Sequence, residues 1–438
     1  MTSSTHDDEL PSKRLRWQLV TIASMYSGYA ALILCRTSVN VAGPDLVDDP
    51  SLGLDEASFG ALLGWGAGGA LAGKMINGVV ADIVGGRRLF LFALTAMGAA
   101  TILFGLSSAH LLFMLLNFAA QLTKAGGWPA MAKIIGNWFD ANQLGRVWGV
   151  IATSSRASAL VSTIFLGAIL FYLPWRWLFY VAGGVTLAVM AGSYLLLKTP
   201  RDVGLPPPQH RRSEAPTEEQ HPWEETLAKT LLFFLKSRQV WLICIAVAAM
   251  TIQMELLSFL PLYFRDTFEV AKPTAAMASA WFPAGSLISV LFGGLLYDKL
   301  SSRSRASVLG GLLGVGLASV CVLLLNPGWG IAIAATFVFG LAVSPAYYIP
   351  MSVFSIEFGR SRSGVLIGLI DACGYGAFMV FAPIAGYVIK VDGWSAFLSM
   401  IAVISLLAMV ITSSFLAGEH RAKVRRDRRP VPTGNSVR

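Results

Sequence analysis

The chain has 438 residues, 55% of them hydrophobic and 13% charged, with a mean hydropathy of +0.62; that is too apolar for a water-soluble domain of ordinary composition. Its net charge of +9 does not mark a nucleic-acid partner, because Lys and Arg gather in alternate loops instead of along one amphipathic face. Cys35, Cys244, Cys321 and Cys373 sit singly in apolar runs and read as small core residues, while the histidines are scattered, so no metal site, cofactor or hydrolytic constellation is implied and no enzyme is expected.

Apolar runs of about 20 residues separated by polar turns fit helices that cross a hydrocarbon core about 30 Å thick. Each such span must satisfy its own backbone groups, which forces helix. A polar segment, 1–16, comes first, and the apolar run after it is too long for a cleavable signal. The first six spans are expected at 17–47, 58–82, 89–107, 111–138, 145–172 and 177–197. The stretch 198–238, rich in Pro, Glu, Gln and Arg, reads as a solvated linker. Six more spans follow at 240–264, 275–296, 307–325, 330–358, 364–389 and 395–416, so a second half occupies 239–417, and the basic tail 418–438 reads as disordered. The fold class expected is an all-α membrane protein of twelve helices in two six-helix halves, acting as a monomer in the lipid bilayer.

Basic residues cluster at Lys13, Arg14 and Arg16, at Arg87 and Arg88, in the linker, at Lys299, Arg303 and Arg305, at Arg360 and Arg362, and in the tail, whereas the 41–56 turn carries Asp45, Asp48, Asp49, Asp55 and Glu56. The positive-inside rule therefore puts both termini in the cytoplasm. With no transit peptide in view, a bacterial inner membrane is expected. Gly78-Val-Val-Ala-Asp82 at the end of the second span is echoed by Gly294-Leu-Leu-Tyr-Asp298 at the end of the eighth, each followed by arginines. Parallel duplicated halves of this kind place a binding site at their interface.

The loop Gly78-Val-Val-Ala-Asp82-Ile-Val-Gly85-Gly86-Arg87-Arg88 resembles that of the major facilitator superfamily, with Gly86 where an arginine is usual. Further segments resemble its organophosphate:phosphate antiporter branch: Gly28-Tyr29 with Arg36 and Pro44-x-Leu46-Val47, Lys74 ahead of Asp82, Gly127-Trp128-Pro129 with Trp138-Phe139, and Thr199-Pro200-x-x-x-Gly204-Leu205-Pro206-Pro207. The resemblance implies exchange of a phosphate ester for inorganic phosphate by alternating access, with Asp82, Arg87, Arg88 and Asp298 in conformational loops. It also implies that Arg36 is the phosphate-binding arginine, Lys74 the pore-lining lysine, and Tyr29 and Tyr375 pore tyrosines. Gln253 stands where the branch carries a second arginine, a departure from the phosphate-ester pattern.

An ionisable side chain at bilayer depth costs at least about 2.5 kcal/mol and ordinarily faces a cavity or a partner. Arg36 lies among apolar residues with no carboxylate within a turn, which suits a guanidinium fork on an anion, or else an ion pair with Glu255 or Asp371, or snorkelling. Arg156 could share the anion or pair with Glu255 or Asp371 as a gate, and Lys74 could bind substrate or snorkel. Lys124 and Lys133, flanking Gly126-Gly127-Trp128-Pro129, are given no role. Trp128, Gln253, Tyr29 and Tyr375 would orient the rest of the solute. Glu255 and Asp371 fit either a proton site or salt bridges that break as the halves rock. The expected cargo is thus a small anion moved with inorganic phosphate or protons. A proton-coupled organic-acid symporter and a non-transporting sugar-phosphate sensor are the alternatives.

Overall fold

The computed structural model describes residues 4–140, 142–206, 208, 229, 231–359 and 363–427, without the side chains of 4–11, 294–298, 302–303, 352, 356–357, 359, 363–364 and 419–427. Most of the expected linker, the end of the tail, Arg360, Arg362 and the Asp298 side chain therefore lie outside the described residues. Among those described, all regular structure is helical. The first half contains α1 (Ser4–Val41), α2 (Gly43–Asp48), α3 (Glu56–Val84), α4 (Gly86–Leu106), α5 (His110–Lys124), α6 (Gly127–Trp138), α7 (Leu144–Ile169) and α8 (Arg176–Leu196). The second contains α9 (Arg238–Glu255), α10 (Leu260–Phe268), α11 (Lys272–Ser279), α12 (Trp281–Lys299), α13 (Ser302–Leu324), α14 (Trp329–Gly359) and α15 (Ser363–Asp427).

Ten helical stretches are long and apolar enough to cross a membrane. The last of them, Val365–Gly418, has 54 residues and as one rod would measure ~80 Å, far more than a bilayer core. Gly393, at φ 76° and ψ −174°, breaks it into two passes; the positive φ is one that glycine adopts without steric cost. The α5–α6 pair, interrupted at Ala125–Gly126, adds a further apolar stretch, and among the described residues the helices are consistent with the expected twelve. The final helix continues through Asp427, past the end expected at 416, through the helix-forming run Glu419-His-Arg-Ala-Lys423. Cys321 corrects the expectation that all four cysteines are core residues: it is exposed on α13, on the apolar outer surface that a bilayer would cover.

One packing scheme occurs twice. In the first half α1 packs on α7, α3 on α5 and α4 on α8. In the second, α9 packs on the first pass of α15 (Thr251 against Gly374), α12 on α14, and α13 on the second pass of α15 (Ser413 against Gly310). The halves meet where α3 lies along α15, α7 along α11 and α12, and α2 against α10. Hydrogen bonds and ion pairs joining the halves, between described residues, lie at mid-depth or toward the end that carries the acidic 41–56 turn. The molecule is closed at that acidic end.

The loop between α3 and α4 is fixed within the first half. Asp82 pairs with Lys133 of α6, and Arg87 donates to the carbonyls of Tyr194 and Leu197 at the end of α8, where unpaired carbonyls and the negative end of the helix favour a cation. Arg88 is exposed. Gly86, the departure from the superfamily loop pattern, has a steric cause: a Cβ there would stand 2.5 Å from the Ala130 carbonyl oxygen and 2.8 Å from Cβ of Lys133.

Candidate functional site

Eight of the singled-out residues converge between the halves. Tyr29 and Arg36 come from α1, Lys74 from α3, Trp128 from α6, Arg156 from α7, Glu255 from the end of α9, and Asp371 and Tyr375 from the first pass of α15. Arg36 Nη2 donates to Glu255 Oε1, and Ser258 Oγ donates to the other carboxylate oxygen at 3.3 Å. Lys74 Nζ donates to Asp371 Oδ2 and stands 5.4 Å from the centre of the Tyr375 ring. Both ion pairs join the first half to the second. Trp128 Nε1 donates to the Tyr29 hydroxyl at 2.7 Å, and the Trp128 ring stacks on Trp148 at 5.3 Å, so two aromatic planes are fixed beside the cations.

Among the described residues Arg156 has no carboxylate partner. Its guanidinium lies 4.9 Å over the Tyr348 ring and its Nε is buried without a hydrogen bond. Gln253 does not join the group: it is fully buried in α9, with both amide atoms unpaired. The turn at Glu255 instead presents the carboxylate two residues further on. Sequence reasoning did not single out Tyr347 and Tyr348, the tyrosine pair after Pro345, and it named Lys124, which is buried at the end of α5, without giving it a role. Lys124 makes no hydrogen bond or ion pair with any described residue. The signal that could have found it is its stripe: Asn117, Gln121 and Lys124 recur at helical spacing on one face of α5.

A narrow cleft of about 30 Å³ lies between the halves, bordered by Arg36, Asn40, Asn117, Gln121, Glu255 and Tyr375 among others. Around it the first half contributes every cation (Arg36, Lys74, Lys124, Arg156) and the second half both carboxylates (Glu255, Asp371). The polarity is reversed at the acidic end, where Asp48 pairs with Arg265, Asp45 and Asp48 with Lys272 at 3.2 and 3.0 Å, and Asp55 with Lys390 at 2.8 Å.

A duplicated six-helix bundle around a charged mid-depth cavity is matched by the model of the Major Facilitator Superfamily over residues 25–380 and 267–436. The chain belongs to that superfamily. It is 28% identical to a probable hexose phosphate transport protein of Chlamydia trachomatis serovar D over 68% of each chain. It is 25% identical to the membrane sensor protein UhpC of Salmonella typhimurium over 94% of each. Among solved structures, a bacterial homologue of the human lysosomal transporter Spinster, inward-facing and occupied, superposes with a TM-score of 0.71 at 16% identity, covering 95% of this chain and 99% of the other; that likeness concerns the fold. As a superfamily member the chain is a multi-pass membrane protein.

Proposed function

We propose that the chain is a secondary transporter that carries a small phosphate ester across a bacterial inner membrane in exchange for inorganic phosphate. The observation that carries this is the mid-depth charge arrangement: four basic side chains, Lys124 buried and Arg36, Lys74 and Arg156 half-buried, face two carboxylates, an excess that attracts an anion where water is scarce. The hexose phosphate relative supports the ester class. In the cycle, the arriving anion takes Arg36 from Glu255 and is oriented by Lys74, Arg156, Tyr29, Trp128 and Tyr375. The acidic end faces outward and the termini lie in the cytoplasm, so the conformation described is the inward-facing one. Phosphate-loaded liposomes test the reading. Wild type is expected to exchange labelled phosphate for external glucose 6-phosphate and Arg36→Ala is not; an unaltered Arg36→Ala would sink it.

A second reading has its own observation. Both carboxylates hold cations across the interface, and one that loses its cation to substrate is poised to take a proton, which would make the protein a proton-coupled organic-acid symporter. Uptake driven by a pH gradient without any phosphate requirement would select it. A sensor that binds and reports without moving its ligand is the reading favoured by the UhpC relative, and binding without exchange would mark it.

A further inference from the structure

Glu255 and Asp371 neutralise Arg36 and Lys74, which among the described residues leaves Lys124 and Arg156 without a paired carboxylate. Arg156 is screened by the face of Tyr348. Lys124 is 8% exposed, with Arg36, Lys74, Arg156 and Glu255 as its charged surroundings. Glu255 directs its carboxylate at Arg36 and Ser258 instead of Lys124. An ammonium held at this depth without a counter-ion destabilises the empty protein. Asn117 and Gln121, on the same face of α5, border the cavity, so the ammonium sits on the stripe that faces it.

We propose that Lys124 is a substrate-binding residue, the second cation of the anion site beside Arg36, and that it makes the cavity select dianions over monoanions. This rests on the anion-transport reading above and sharpens it: four basic side chains against two carboxylates leave two without a counter-charge, a place that a doubly charged anion fills. A phosphate monoester carries close to two negative charges above its second pKa of about 6. The corresponding sulfate ester carries one charge at every working pH and leaves the ammonium unmatched.

The full-length protein in detergent is titrated with glucose 6-phosphate, glucose 6-sulfate and succinate, with binding read from thermal shift and tryptophan fluorescence. Wild type is expected to bind the phosphate about tenfold or more tightly than the sulfate, the worth of one charge-assisted contact. The gap closes in Lys124→Gln and persists in Lys124→Arg. The unliganded melting temperature of Lys124→Gln stays level or rises, because an unpaired buried charge is gone; a structural lysine would lower it, and such a fall without rescue by Lys124→Arg overturns the proposal. Wild-type preference kept intact in Lys124→Gln overturns it too while leaving the phosphate-ester reading in place. Binding of succinate but not glucose 6-phosphate, lost in Lys124→Gln, removes the phosphate-ester reading and keeps Lys124. Binding of none of the three by wild type removes both.

Discussion

Gly60 on α3 and Gly386 on α15 meet at the acidic end with no room for a methyl group. A Cβ on Gly60 would stand 2.4 Å from the Ala382 carbonyl oxygen and 2.9 Å from the Gly386 Cα, and one on Gly386 would stand 2.3 Å from the Glu56 carbonyl oxygen. Carbon contacts become comfortable near 3.5 Å, so Gly60→Ala requires the two helices to part by about 1 Å. Overpacking of this kind costs roughly 1–3 kcal/mol, which lowers the ratio of closed to open forms at this end by roughly 5- to 150-fold. Spin labels at Ser51→Cys and Asp392→Cys, in a background with the four native cysteines replaced, report the separation of the halves there. A new, longer-distance population is expected in Gly60→Ala, with impaired transport. Gly78→Ala serves as the control, because its Cβ meets nothing within 4 Å. If Gly60→Ala shows the wild-type distance distribution and wild-type transport, closure does not bring these two backbones together.

The mid-depth pairs make a second prediction: Asp371→Asn strands Lys74 and lowers the melting temperature. Lys74→Met combined with Asp371→Leu regains it, because an apolar pair can replace a buried ion pair at little cost, yet liposome uptake stays lost. For pH, the hydrogen bond from Lys390, joined by those from the Ser58 backbone and hydroxyl, holds the Asp55 carboxyl down at about 2, below the usual 3.9. A depressed pKa gives a contribution that is complete above about pH 4 and is lost as pH falls toward 2. The contribution of the Asp55–Lys390 pair to the spin-label distance at the acidic end should therefore hold constant between pH 8 and 5 and be lost only in stronger acid. Trp128→Phe removes the bond to the Tyr29 hydroxyl but keeps a ring, and should cost about 1 kcal/mol of stability, with a several-fold rise in the substrate KM.

The bundle was legible because hydropathy runs and bilayer thickness leave helices few choices. The interruption between α5 and α6 was not drawn from Gly126-Gly127, since the apolar run continues through it, and the pass reads as one span by composition alone. Charge depth marked Arg36, Lys74, Arg156, Glu255 and Asp371 as a group, but the pairings join residues 219 and 297 positions apart, and no local pattern encodes which cation meets which carboxylate. The tyrosine under Arg156 was equally out of reach, being supplied by the other half. Gln253 drew notice through the resemblance, yet α9 ends at Glu255 in a 3₁₀ turn, Leu256–Ser258, and it is the carboxylate there that borders the cavity.

The two levels of the interface carry opposite polarity, and that opposition ties ligand binding to the movement of the halves. At the acidic end the first half is negative and the second positive; at mid-depth the signs exchange. Sliding one half along the other by the distance between levels would set like charges face to face, so the charges favour a single register. In the proposed transport cycle, an anion entering at mid-depth competes with Glu255 and Asp371 for the cations of the first half, while the pairs at the acidic end are untouched. Its binding therefore loosens the mid-depth attachment selectively and leaves a carboxylate without its cation in a dry setting. That carboxylate must either find another cation or take up a proton. The first course gives exchange without proton movement and the second gives coupling to a proton gradient, so the partner that Glu255 finds after Arg36 leaves decides between antiport and symport.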